Sequence, residues 1–180
     1  YYSLNISEYE AVSEFANWLK TKNFRIKGLV NCAGVNSPNK HQTSEESVYR
    51  VSLADLRAVM AVNLEGTLLG CQASLPALRD RRGNIVNVSS IAGHHHSLVS
   101  GVHYVSTKAG LIGLSKQLAF ELGPYNVNVN IVCPSQTLSD MLRESMSDDQ
   151  LQLLADNIPL RRIATIEDQV GPIMFLCSDL

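Results

Sequence analysis

Two rhythms of apolar residues alternate along this chain. In some stretches they return every three or four positions, and in others short β-branched runs are apolar almost throughout. The first is the stripe of a helix with one face on a core, the second a strand buried on both faces. Val12, Phe15, Ala16 and Leu19 mark a helix over residues 8–23 with Ser7 as its N-cap, and residues 26–31 read as a strand. Residues 36–49 are polar and read as a surface loop, after which Ser52 caps a long helix to about Leu78 that Pro76 should disturb. Residues 83–90 form a short strand ending in two hydroxyls. Residues 102–122 form a helix stopped by Gly123-Pro124, and 127–132 another strand. A polar, Met-dotted helix over 138–157 and an amphipathic one over 166–178 complete the pattern. Alternating strands and helices predict the α/β class, with a doubly wound parallel sheet covered on both faces.

Composition narrows the function. With 45% hydrophobic and 18% charged residues and a net charge of -2, the 180 residues fit one globular domain. There is no basic run, no apolar stretch of about 18 or more residues and no N-terminal signal pattern. The reading is therefore a cytoplasmic protein with neither nucleic acid nor membrane as partner. Cys32, Cys71, Cys133 and Cys177 lie far apart without metal-site spacing and read as reduced thiols. His94-His95-His96 invites a metal, but consecutive side chains in an extended loop diverge. The expectation is no metal, and a solvated or substrate-facing loop.

The candidate chemistry lies in Tyr104-Val105-Ser106-Thr107-Lys108. Four residues is one helical turn, which stacks a phenol beside an ammonium. A nearby cation favours the phenolate and should draw the tyrosine pKa of about 10 toward working pH, making a proton donor and acceptor. Ser90 lies at a strand's carboxyl end, where open α/β sheets bind ligands. Asn31-Cys32-Ala33-Gly34 follows another strand, and Asn63 sits inside an apolar helix.

These elements, in this order, resemble the short-chain dehydrogenase/reductase family, and in particular its 3-oxoacyl-[acyl-carrier-protein] reductases. The resemblance runs through nearly all of the chain. It implies a single Rossmann-type NAD(P)-binding domain over residues 1–180, using NAD or NADP to move hydride between the nicotinamide and a small-molecule ketone or secondary alcohol. It implies that Tyr104 is the general acid/base, that Ser90 donates to the substrate oxygen, and that Lys108 also holds the nicotinamide ribose. Asn63 would hold a water that links Lys108 to solvent; on its residues alone, Asn63 reads equally as a satisfied core amide kinking its helix. By the same resemblance Asn31, Ala33 and Gly34 pack on the adenine ribose, Asn5 accepts from the adenine amino group, and Pro134, Thr137 and Ser139 hold the nicotinamide amide. Tyr104 and Lys108 count among the cofactor contacts too.

The sequence departs from the family at Ser135, which replaces a Gly, and at Ser139, which replaces a Thr. Ser90 and Tyr104 lie fourteen residues apart, one more than is common, and Ser89 is an alternative to Ser90. None of the eleven glycines forms the family's Gly-rich phosphate turn. The expectation is a fold incomplete at both ends, the middle and later part of a longer enzyme. The competing reading is a catalytically silent isoform acting as an interaction subunit. The family pairs the helices bearing Asn63 and Tyr104 into a homodimer or homotetramer, with Leu64, Leu68, Leu69, Leu75, Leu111, Ile112, Leu114 and Leu118 as candidate second-face residues.

Overall fold

Three parallel strands, β1 (Gly28–Asn31), β2 (Asn84–Val88) and β3 (Asn128–Val132), pair in the order β1-β2-β3 in the computed structural model. It describes residues 1–36, 51–79, 82–97, 100–144 and 146–179. The register aligns Leu29 with Ile85 and Ile85 with Val129, so these three project to one face of the sheet. There they meet Cys71, Leu78, Leu122 and Val127 in the main core. Each fully buried aliphatic side chain of this cluster contributes roughly 1.5–3 kcal/mol.

That face is covered by α3 (Gly66–Arg79) and α4 (Val102–Leu122), and α1 (Tyr9–Thr21) packs outside α3. The opposite face is covered by α7 (Ile166–Cys177). A Cβ on Gly28 would lie 3.4 Å from the Cys177 Sγ, and Asn84 Nδ2 donates to the Cys177 carbonyl at 3.3 Å. The expected sheet with helices on both faces is what forms.

Several boundaries differ from expectation for local reasons. α1 starts at Tyr9 with Glu8 as an N-cap that makes no side-chain cap bond, not with Ser7. Asn5 has taken Ser7 instead, accepting from its backbone N–H and its hydroxyl. The long helix does begin at the Ser52 cap, but it is three segments: α2 (Leu53–Met60), a π-helical turn (Ala61–Glu65) and α3. The disturbance centres on Asn63, while Pro76 sits inside α3, which continues to Arg79. α4 has the expected bounds but does not stop at Gly123, whose φ is -51°. A 3-10 turn (Gly123–Tyr125) follows and Asn126, at φ 57°, supplies the left-handed stop. The helix expected over 138–157 is α5 (Asp140–Arg143) and α6 (Asp148–Asn157), because Ser139 and Ser147 each cap a new start. Of the polar loop expected over 36–49, residues 37–49 lie outside the described residues. No helix among the described residues is long and apolar enough to cross a membrane.

Candidate active site

A cavity of about 660 Å³ opens at the carboxyl ends of all three strands. The turn after β1 contributes Cys32 and Gly34, the residues after β2 contribute Ser89 and Ser90, and those after β3 contribute Pro134 to Thr137. Tyr104 and Lys108 reach in from the first turns of α4. Two bonds bring the strand ends together: Ser89 N–H donates to the Val132 carbonyl at 2.8 Å and Ile91 N–H to the Pro134 carbonyl at 2.9 Å. A 3-10 turn (Ile91–Gly93) follows β2 and lies directly on α4. A Cβ on Gly93 would be 2.7 Å from the Lys108 carbonyl oxygen.

The two serines divide their tasks. The buried Ser89 hydroxyl donates to the Lys108 carbonyl at 2.8 Å. Ser90 accepts through its hydroxyl from Ala92 N–H at 3.1 Å, and its side chain stands near enough to the Tyr104 phenol to pull the phenol's pKa down. Both serines line the cavity, Ser89 fastening strand to helix and Ser90 lying beside the phenol.

Lys108 is buried, donates to the Val88 carbonyl at 3.0 Å, and carries its Nζ 5.5 Å from the Tyr104 ring centroid. The expectation that it draws the phenol toward neutrality is not met. Burial holds the Tyr104 pKa above its ordinary value, opposed by the neighbouring Ser90 hydroxyl. Lys108 in turn is held below the usual lysine range by burial, opposed by Cys32 and Cys133. In this geometry the phenol keeps its proton through neutral pH, and the ammonium lies over the ring rather than at the hydroxyl.

Asn63 is fully buried beneath the site. Its Oδ1 accepts from Val35 N–H at 2.8 Å, and its Nδ2 donates to the Val35 carbonyl at 3.0 Å and to Thr107 Oγ1 at 3.1 Å. Both side-chain donors are used within the protein, which matches the satisfied core amide. Its carbonyl accepts from Thr67 Oγ1.

The expected cofactor residues divide. Gly34, Pro134, Thr137 and Ser139 line the cavity. A Cβ on Gly34 would lie 3.4 Å from Lys108 Nζ, so a small residue here keeps the floor open. Ser139 spends its hydroxyl capping α5 by accepting from Leu142 N–H. Asn5, Asn31 and Ala33 do not line the cavity. Asn5 is exposed and bonded within its own turn, donating to Glu8 and accepting from Ser7. Asn31 shares the Leu29 face of the pleat, and its amide donates to Asn87 Oδ1 at 2.8 Å and toward Cys71 Sγ at 3.3 Å, bracing sheet against α3. Ala33 is exposed.

Other lining residues were not anticipated. Ile166 and Ile173, with Leu142 and Leu154, form an apolar wall. Ile166 and Ile173 are seven apart, the spacing of one helical face, and that signal was available in the sequence. His95 and His96 also line the cavity, in keeping with a substrate-facing loop. Among the described residues no group of three or more His, Cys, Asp or Glu could hold a metal ion.

A family described as enoyl-(acyl carrier protein) reductase matches residues 1–180. A 3-oxoacyl-[acyl-carrier-protein] reductase of Aquifex aeolicus is 42% identical over 153 residues, 84% of this chain and 58% of that protein. Two solved structures superpose closely. A 3-oxoacyl-[acyl-carrier protein] reductase with bound NAD from Brucella melitensis is 30% identical, with a TM-score of 0.80 over 98% of this chain and 63% of its own. ElxO with NADP bound is 26% identical, with a TM-score of 0.85 over 99% of this chain and 70% of its own. The chain thus spans little more than half the length of its Aquifex relative.

Proposed function

The chain belongs to the short-chain dehydrogenase/reductase family, and from that premise we propose that the protein carrying it is an NAD(P)-dependent oxidoreductase acting on a ketone or secondary alcohol. The observation that carries the reading is the convergence of Ser90, Tyr104 and Lys108 on one cavity at the carboxyl ends of the sheet, with Lys108 over the Tyr104 ring. The cavity suits the nicotinamide half of a dinucleotide. It is lined by the ends of all three strands and kept open at Gly34, and among the described residues that line it are the buried Lys108 and no carboxylate.

Tyr104, Lys108, Gly34, Pro134 and Thr137 would hold that half, and the bound dinucleotide supplies or accepts the hydride. Tyr104 gives its proton to the substrate oxygen as negative charge develops there, and takes it back when the alcohol is oxidised. Because burial keeps the phenol protonated, the reductive direction finds its acid ready at neutral pH. Ser90 donates to the same oxygen and so aims the carbonyl at the phenol. Lys108 places positive charge beside the ring, which opposes the cost of a transient phenolate. Asn63 supports the site from below through Val35 and Thr107.

The wall of Ile166, Ile173, Leu142 and Leu154 favours a carbonyl with an apolar substituent, such as a 3-oxoacyl thioester. Assembly into a homodimer or homotetramer through α3 and α4 remains part of this reading, with a changed residue set. Leu111 and Ile112 are buried within the domain, while Phe120 on α4 is 80% exposed.

Titration with NADH and NADPH, followed by assay against ketones with apolar substituents, tests the reading. Binding with turnover supports it. A folded protein that binds neither dinucleotide would favour the silent interaction subunit.

A further inference from the structure

We propose that Thr107 is a positioning residue: its hydroxyl links the turn after β1, through Asn63, to the backbone of Tyr104 and so sets where the phenol stands against Ser90. The inference rests on Tyr104 being the proton donor.

Direction can be assigned at every step. Val35 offers Asn63 a backbone N–H, which can only donate, and a carbonyl, which can only accept. That fixes the Asn63 amide with Oδ1 toward the N–H and Nδ2 toward the carbonyl. The remaining Nδ2 hydrogen must then point at Thr107 Oγ1, 3.1 Å away. Thr107 is therefore an acceptor from Asn63, and its own hydrogen goes to the Tyr104 carbonyl at 2.8 Å.

A helical threonine often bonds a carbonyl one turn back, and by itself that bond would say nothing. Here the same oxygen is also held from outside the helix, by a residue of the π-helical turn, and Thr107 is only 1% exposed. The result is a relay from Val35 to Asn63 to Thr107 to Tyr104. One end, Tyr104, lines the cavity, and the other, Val35, stands between the lining residues Gly34 and Asn36. Gly34, next to Val35, sits where a Cβ would touch both Lys108 Nζ and Asn63 Oδ1. The turn that would face the dinucleotide and the helical turn that bears the phenol are thus held in one register. A reacting group displaced by about 1 Å can cost on the order of a hundred-fold in rate.

The test compares Thr107→Val, which keeps the shape and removes the hydroxyl, with Thr107→Ser, which keeps the hydroxyl. Each would be made in the protein that carries this chain. For Thr107→Val we expect kcat to fall on the order of ten- to a hundred-fold with KM little changed. In ultraviolet titration of the phenols without ligand, the component that Tyr104→Phe abolishes should move upward, because a displaced phenol loses the influence of Ser90 that lowers its pKa. Thr107→Ser should restore both readouts. Wild-type kcat and an unmoved phenol titration in Thr107→Val would overturn the inference, even if its melting temperature fell. So would a Thr107→Ser variant as impaired as the valine variant, which keeps the question decidable if Thr107→Val does not fold. Failure of the underlying reading looks different, since Tyr104→Phe would then retain turnover.

Discussion

Ser89 holds the carbonyl of Lys108 through a 2.8 Å hydrogen bond, pinning the end of β2 to the helix that bears the phenol. Ser90, one residue on, lines the cavity with Tyr104 and lowers the phenol's pKa. Ser90→Ala should lower kcat on the order of a hundred-fold and cost about 0.5–1 kcal/mol of stability, the loss of its cap on Ala92 N–H. Ser89→Ala should instead cost about 1–3 kcal/mol of stability and less activity, since a buried carbonyl loses its side-chain donor. Melting curves and kcat for the two variants would contradict the division of tasks if the pattern were reversed.

What the sequence made legible was what local geometry decides. The four-residue step from Tyr104 to Lys108 and the strand ending at Ser90 follow from helical and extended periodicity. The pairing of those strands and the covering helices followed from alternation. Asn31 spends its amide inside the domain because pleat parity places it with Leu29 and Ile85 toward α3, which motif spacing alone does not display. Asn5 is engaged within its own turn by Ser7 and Glu8, two and three residues on, a local pairing that its place in the motif does not display. The shift of the Tyr104 pKa was beyond sequence spacing, because it is a balance between a neighbouring charge and desolvation, and the depth of burial is a property of the whole fold.

Lys108 sets a pH dependence of stability. Its folded pKa is lowered, so between that value and the ordinary 10.5 the unfolded chain binds more protons than the folded one. Stability contributed through Lys108 therefore rises with pH across that window. Lys108→Met lacks this rise, so the stability of the variant minus that of the parent should fall as pH increases toward 10.5. Denaturant titrations at several alkaline pH values check the sign, and a difference that grows would contradict it.

Cys71 has the opposite sign. Burial pushes its thiol from 9.0 up to about 11, against a weaker pull from Asn31. The stabilisation linked to the neutral thiol is complete below pH 9.0 and is lost as pH rises toward about 11, roughly 2 to 3 kcal/mol in all. Cys71→Ala should be less stable at neutral pH because it leaves a small void, yet lose less on going to alkaline pH. An alkaline limb as steep as the parent's would rule out Cys71 as its source.

Gly93 should tolerate no side chain. Its Cβ would stand 2.7 Å from the Lys108 carbonyl oxygen and 2.9 Å from the Lys108 carbonyl carbon, and backbone cannot rotate aside. Gly93→Ala should cost about 1–3 kcal/mol and reduce turnover together, because relief requires moving α4 with Tyr104 and Lys108 on it. Gly113, where an added Cβ meets nothing within 4 Å, is the control, and Gly113→Ala should be neutral or stabilising. Equal behaviour of the two alanine variants would contradict the close packing of the turn on the helix.

The proton donor is tested most directly by Tyr104→Phe, measured as kcat for ketone reduction beside dinucleotide affinity in the same protein. The ring and its contact with Lys108 remain, and only the transferable proton is removed. The expected result is a fall in kcat of about 10² to 10⁴ with dinucleotide affinity close to that of the parent. Turnover within a few-fold of the parent would contradict the assignment of Tyr104.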